Sequence, residues 1–227
     1  MTANVKHYWI IILLIFVISC TNQNNSSDNN ETTIAEINSD NKLEPIAEKV
    51  DTIIIDSDMT FEEAVKNTKA PKTVIDQLVL IDVQYLSTDN RIHKGQVLTN
   101  KKLEGDVIHI FKFMLDSGFV IDKAIPVVQY NWSDSLSMAD NNTYSFCYRN
   151  VSYSKHAHGM AIDINPRFNP LRWKKENRPN QPEGAVLDTT INGTLHIEHI
   201  VVKEFKKMGY KWGHQFSRYY DDHHFEK

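Results

Sequence analysis

Ser154-Lys155-His156-Ala157-His158-Gly159-Met160-Ala161-Ile162-Asp163-Ile164-Asn165 is the stretch that decides both the fold and the chemistry. Alternation from Ala161 to Asn165 reads as a strand. Ile162 and Ile164 turn toward the core, while Ala161, Asp163 and Asn165 share the opposite face. Gly159 has no Cβ, so the preceding turn can fold tightly and bring His156 back beside Asp163. An imidazole and a carboxylate on one surface suit zinc, although an ordinary ion pair or a capped turn would leave the same trace.

The end of the chain carries the second signal: Gly209-Tyr210-Lys211-Trp212-Gly213-His214-Gln215-Phe216, then Asp221-Asp222-His223-His224-Phe225-Glu226. Asp221 and His224 stand three apart, so a tight turn puts a carboxylate within reach of whatever His224 binds. Metal-assisted hydrolysis needs such a set: ligands that leave one metal position open, and a nearby base that takes a proton from water. Two neutral imidazoles and one carboxylate leave zinc net positive and able to polarise a carbonyl.

Working outward, Leu78 to Leu86 and Ile92 to Leu98 flank Ser87-Thr88-Asp89-Asn90 and predict a β-hairpin. Ile53-Ile54-Ile55 is an apolar knot that adds a short strand, and Thr60-Phe61-Glu62-Glu63 has the form of a capping box. Asn100 caps a longer helix on which Leu103, Val107, Ile110, Phe111 and Met114 share a face, with Gly118 at its end. Ala124 to Gln129 predicts a strand and Ser137 to Asn142 a helical turn. Residues 166–190, with prolines at 166, 170, 179 and 182, predict a surface loop. His196 to Met208 predicts a helix with Ile197, Ile200, Val201, Phe205 and Met208 as its apolar stripe. Hairpin-linked strands with helices between them give class α+β, a small antiparallel sheet flanked by helices.

The chain has 227 residues and a net charge of −4, which excludes a nucleic-acid binder working by bulk charge and a fully disordered or multi-span chain. Two cysteines exclude a disulfide-stapled scaffold and an all-cysteine zinc site. Residues 1–19 read as a lipoprotein signal peptide. Lys6 is followed by an unbroken apolar run of eleven residues, Tyr8 to Ile18. Such a run fits a secretory signal and falls short of the ~20 residues that span a bilayer. A plain secretory signal or a short anchor is the alternative. Val17-Ile18-Ser19-Cys20 followed at once by polar residues resembles a lipoprotein processing site. Cys20 is then acylated and anchors the chain to a membrane without a spanning helix. Thr21 after it matches the outer-membrane default, with the protein facing the periplasm. Residues 20–58 are polar, hold no aromatic and read as a flexible tether, and residues 59–227 make one domain. Cys147 is left as a lone buried thiol between aromatics.

Ser-x-His-x-x-Gly-x-Ala-x-Asp, followed downstream by Trp-Gly and Asp-x-x-His-Phe-Glu, resembles the zinc D-alanyl-D-alanine carboxypeptidase family. That family includes L-alanyl-D-glutamate endopeptidases and cuts peptidoglycan stem peptides. The resemblance covers about residues 100–227 and implies the small antiparallel sheet flanked by helices shared with the Hedgehog signalling domain. By position it implies one zinc per chain held by His156, Asp163 and His224, with Asp221 as general base. Tyr148-Arg149 resembles the family's Tyr-Arg element, whose arginine faces substrate and oxyanion; a planar guanidinium suits a carboxylate-rich peptide. Three departures stand out. Trp212-Gly213-His214-Gln215-Phe216 replaces the Trp-Gly-Gly-Asp-Trp often seen in the endopeptidase branch. His223-His224-Phe225-Glu226 replaces Pro-His-Phe-Glu. Asp221 stands where the carboxypeptidase branch often carries Glu, which leans toward the endopeptidases.

The remaining candidates are weighed against plainer roles. His158 is a rival ligand to His156 and is read as a wall of the substrate site, together with Tyr148, Arg149 and Trp212. His223 is a rival to His224, and the Phe-Glu that follows favours His224. His196 and His199 flank Glu198 without forming His-Glu-x-x-His and are read as solvated. Glu226, two from His224, shares its strand face and is placed to support it. The expectation is a lipid-anchored, monomeric zinc peptidase acting on peptidoglycan, with no nucleic-acid partner. The competing class is a non-catalytic cell-wall-binding lipoprotein whose structural zinc takes a fourth ligand, His158 or His223.

Overall fold

The computed structural model describes residues 52–227; the signal segment, Cys20 and the tether up to residue 51 lie outside the described residues. The apolar knot forms β1 (Ile54–Ile55). Thr60 then opens α1 (Phe61–Ala64) with the full reciprocal capping box, its side chain accepting from Glu63 N–H while the Glu63 carboxylate accepts from Thr60 N–H. A second single turn, α2 (Lys72–Ile75), leads into β2 (Leu78–Leu86) and β3 (Ile92–Asn100). These last two make the predicted hairpin, in register from Leu86 opposite Ile92 to Leu78 opposite Asn100. At its turn Asn90 takes φ +60°, a left-handed conformation that asparagine tolerates. β1 adds parallel to β3, giving the order β1-β3-β2.

Asn100 caps a short 3-10 turn, Lys101–Leu103, from which α3 (Glu104–Asp116) runs on. Val107, Ile110, Phe111 and Met114 form its buried face, and Gly118 follows its end at φ +69°. The expected strand from Ala124 to Gln129 does not form. Asn142 takes both backbone groups of Ile125, accepting from its N–H at 2.9 Å and donating to its C=O at 2.9 Å. Pro126 has no N–H for a ladder and instead starts a 3-10 turn, Val127–Tyr130. The helical turn expected at Ser137 to Asn142 is α4 (Asp134–Ala139), shifted because Ser133 caps it.

The second sheet pairs β4 (Ala161–Asp163), β6 (Lys211–Trp212) and β8 (His224–Glu226), all antiparallel in the order β4-β8-β6. The proline-rich stretch is not wholly loop: β5 (Leu171–Trp173) follows Pro170 and pairs with β7 (Tyr219–Asp221). The last helix, α5 (Ile200–Lys207), starts later than the apolar spacing suggests, because the His199 ring accepts the Val201 N–H and caps it. Ile197 and Ile200 are therefore exposed, and Val202 joins Val201 and Phe205 in the core. That core seats Phe225 of β8 flat against Phe205, at 3.9 Å between ring centroids, with Trp212 on the same sheet. Burying one such aromatic side chain contributes about 1.5–3 kcal/mol, so the strand that ends the chain is firmly seated. Among the described residues no helix is long and apolar enough to cross a membrane.

Candidate metal centre

His156 sits on a 3-10 turn, His156–His158, that Gly159 ends at φ +64°. A Cβ at Gly159 would lie 2.7 Å from Asn100 N, so glycine is required there for shape as well as for φ. Its carbonyl accepts from Asn100 N–H and from the Thr99 hydroxyl, both at 3.0 Å, which ties the turn to the end of β3. Asp163 closes β4 and stands directly opposite His224 of β8. Cross-strand neighbours bring side chains on one face together. All three residues are buried.

His156 Nε2, Asp163 Oδ1 and His224 Nδ1 form a triangle with sides of 3.1, 2.9 and 3.0 Å. The outer nitrogens point elsewhere: His156 Nδ1–H donates to Ser145 C=O at 2.6 Å, and His224 Nε2–H donates to Glu226 Oε2 at 3.3 Å. Those bonds fix the tautomers, so lone pairs of both rings and of Asp163 converge on one point. Burial lowers the His224 pKa, but Asp163 and Glu226 outweigh it and push the imidazole up to about 10. Burial likewise raises Asp163, and His156, His223 and His224 overcome it to hold the carboxyl well below the usual range. The cluster thus calls for positive charge at its centre. Tetrahedral zinc with bonds of ~2.0–2.1 Å has ligands ~3.3 Å apart, close to the triangle observed. A cation there takes the place of the proton, and the residues present fit zinc.

The triangle floors a cavity of about 350 Å³ that Arg149, Asp221, Phe216, Tyr219 and Tyr153 also line. Arg149 donates to Asp134 at 2.9 Å, and Asp134 also accepts from the Tyr144 hydroxyl. The Tyr144 ring stacks on His156, 5.1 Å between centroids. Asp221 Oδ1 is buried 2.9 Å from His223 Nε2. Of the expected substrate-site residues, only Arg149 lies on this cavity. Trp212 is 1% exposed in the core, where its Nε1–H donates to Asp222 C=O. His158 projects from the outer side of its turn and is exposed. Tyr148 packs with Phe146 and Leu98 and lines a neighbouring cavity with Trp132.

Glu226 takes the supporting place its spacing suggests. His223 is not a fourth donor, since its nitrogens face Asn169 C=O at 2.7 Å and Asp221. Ser145, Tyr144 and Asp134 were not legible. Ser145 acts through its backbone, and the other two sit far from either motif in sequence. Cys147 is buried, its thiol pushed up to about 12 by burial and Asp134, so it is no nucleophile.

No curated protein and no solved structure matches the chain. Residues 149–227 match the sequence pattern of one family, described as D-alanyl-D-alanine carboxypeptidase. That segment holds all three donors and Asp221, so the part of the chain that carries the site is similar to a D-alanyl-D-alanine carboxypeptidase.

Proposed function

We propose that this chain hydrolyses peptidoglycan stem peptides, at an L-alanyl-D-glutamate or a terminal D-alanyl-D-alanine bond. The observation that carries the reading is the convergent triangle of His156, Asp163 and His224 beside the Asp221 carboxylate. Zinc at the triangle supplies a Lewis acid that polarises the scissile carbonyl and acidifies water. Asp221 takes the proton from the attacking water as the C–O bond forms, then passes it to the amine as the C–N bond breaks. Arg149 faces the cavity and orients a carboxylate of the substrate, with Asp134 holding the guanidinium in place.

A structural zinc site would be closed by a fourth protein ligand. Among the described residues the donor group has three members, and both candidates for a fourth are engaged or turned away. This favours the peptidase over a wall-binding protein. The sequence supports secretion and anchoring through acylated Cys20, facing the periplasm from the outer membrane; Cys20→Ser should abolish incorporation of labelled palmitate.

Mass spectrometry of muropeptides digested with the zinc-loaded protein tests the activity and identifies the bond. Asp221→Asn should keep one zinc per chain and lose about 10²–10⁴ in rate, the span of a general base. One zinc with unchanged muropeptide masses would sink the peptidase reading in favour of binding alone.

A further inference from the structure

His223 is 3% exposed, charged groups surround it, and the proposed chemistry leaves it without a task. Its Nδ1–H donates to Asn169 C=O at 2.7 Å. That carbonyl cannot drift, because the Asn169 side chain donates to Ile164, Asn165 and Gly193 carbonyls and accepts Leu195 N–H. The His223 carbonyl itself accepts Ile164 N–H at 3.0 Å. The ring is therefore fixed from the core side, and Nε2 is left 2.9 Å from Asp221 Oδ1 and 3.8 Å from Asp163 Oδ2. With Nδ1 committed to Asn169, Nε2 is the atom turned toward both carboxylates. Among the described residues His223 is the one basic side chain within 4 Å of the Asp221 carboxylate. Oδ1 is buried and accepts no hydrogen bond, so the 2.9 Å approach of the imidazole is what holds it in place.

We propose that His223 is a positioning residue: it clamps Oδ1 of Asp221 and leaves Oδ2 to meet water in the cavity. The proposal rests on Asp221 acting as the base. His223 spans the gap between the metal-ligand carboxylate and the base, so it sets how the proton acceptor stands against the donor triangle. It also separates two negative groups that share a buried wall. Without it Asp221 can swing away, and the carboxylate loses the geometry that general base catalysis requires.

The test uses the zinc-loaded full chain and four variants: His223→Leu, His223→Gln, His223→Asn and Asp221→Asn. Zinc content, kcat and KM on muropeptides are measured for each. His223→Leu should keep its zinc, leave KM within about threefold and lose roughly 10–100-fold in kcat, the usual cost of removing such a support. Gln places an amide donor near the Nε2 position and should restore most of the rate. Asn reaches only the Nδ1 position and should not. The Gln and Asn pair decides the matter if the Leu variant does not fold. In the Asp221→Asn background, His223→Gln and His223→Asn should give the same rate, since the effect runs through Asp221. Losses that multiply there, or an Asn variant as active as the Gln variant, overturn the proposal. A wild-type chain that holds zinc but cleaves no muropeptide sinks the functional reading and takes this proposal with it.

Discussion

Zinc should raise the melting temperature of this protein, and the size follows from how the donors are held. His156 rides on a turn tied to β3, Asp163 ends β4 and His224 begins β8. Unfolding scatters these segments, so the native chain binds the ion far better than the unfolded chain does. At free zinc about 100-fold above the dissociation constant, linkage adds about 2.7 kcal/mol. A domain of this size shifts by about 2–4 °C per kcal/mol, so the rise is roughly 5–11 °C. Differential scanning calorimetry with and without zinc measures it, and a chelator should reverse it. His224→Ala removes one apex of the triangle and should lose most of the shift. A wild-type protein indifferent to zinc, or a variant that responds equally, would refute the three-donor site.

Zinc binding at pH 7.5 should release about one proton from His224, whose pKa Asp163 and Glu226 hold at about 10 against burial. Affinity then falls about tenfold per pH unit as acid restores that proton; calorimetry in buffers of different ionisation enthalpy reads the count. Asp222 is 1% exposed and accepts the Arg172 fork at 2.9 and 2.8 Å and His214 Nδ1–H at 2.6 Å, pinning the turn between β7 and β8. Asp222→Ala strands both partners, which are themselves partly exposed, and should cost about 1–3 kcal/mol in urea unfolding; a loss under about 0.5 kcal/mol would show that the turn stands without it. Gly159→Ala meets Asn100 N at 2.7 Å and should weaken zinc binding, whereas Gly118→Ala meets nothing within 4 Å and should lower stability while leaving zinc affinity intact. Equal effects on affinity would argue against the turn as the device that aims His156.

Part of the donor set was legible because it obeys short-range rules: the glycine turn returns His156 beside Asp163, and period two puts Glu226 on the face of His224. That His224, 61 residues beyond Asp163, joins them came from the family resemblance and not from spacing. The hairpin, the capping box and α3 were legible by the same short-range rules. The errors arise where a distant side chain overrides local preference. Asn142 takes the backbone of Ile125 and cancels a strand; His199 caps α5 and exposes Ile197 and Ile200. Trp212 carried a motif signal but serves the core, because its ring packs flat near Phe225 while its N–H is used on Asp222. Proximity in sequence to a site residue did not indicate which way that side chain turns.

The alternation in Asp221-Asp222-His223-His224 shows how one turn carries separate tasks. Asp221 and His223 pair with each other beneath the cavity, Asp222 ties down the turn through Arg172 and His214, and His224 faces the metal position. The family pattern covers this turn and the His156 motif but begins at residue 149. The site does not. Ser145 supplies the carbonyl that fixes the His156 tautomer, Asp134 holds Arg149, and Thr99 with Asn100 anchors the Gly159 carbonyl. Each lies upstream of the matched segment. Residues 149–227 alone would keep all three donors, yet His156 would lose both its tautomer lock and the surface against which its turn is folded. The hairpin and α4 are therefore part of the candidate metal centre, and upstream substitutions at Thr99 or Asn100 should disturb the His156 turn through the backbone of Gly159.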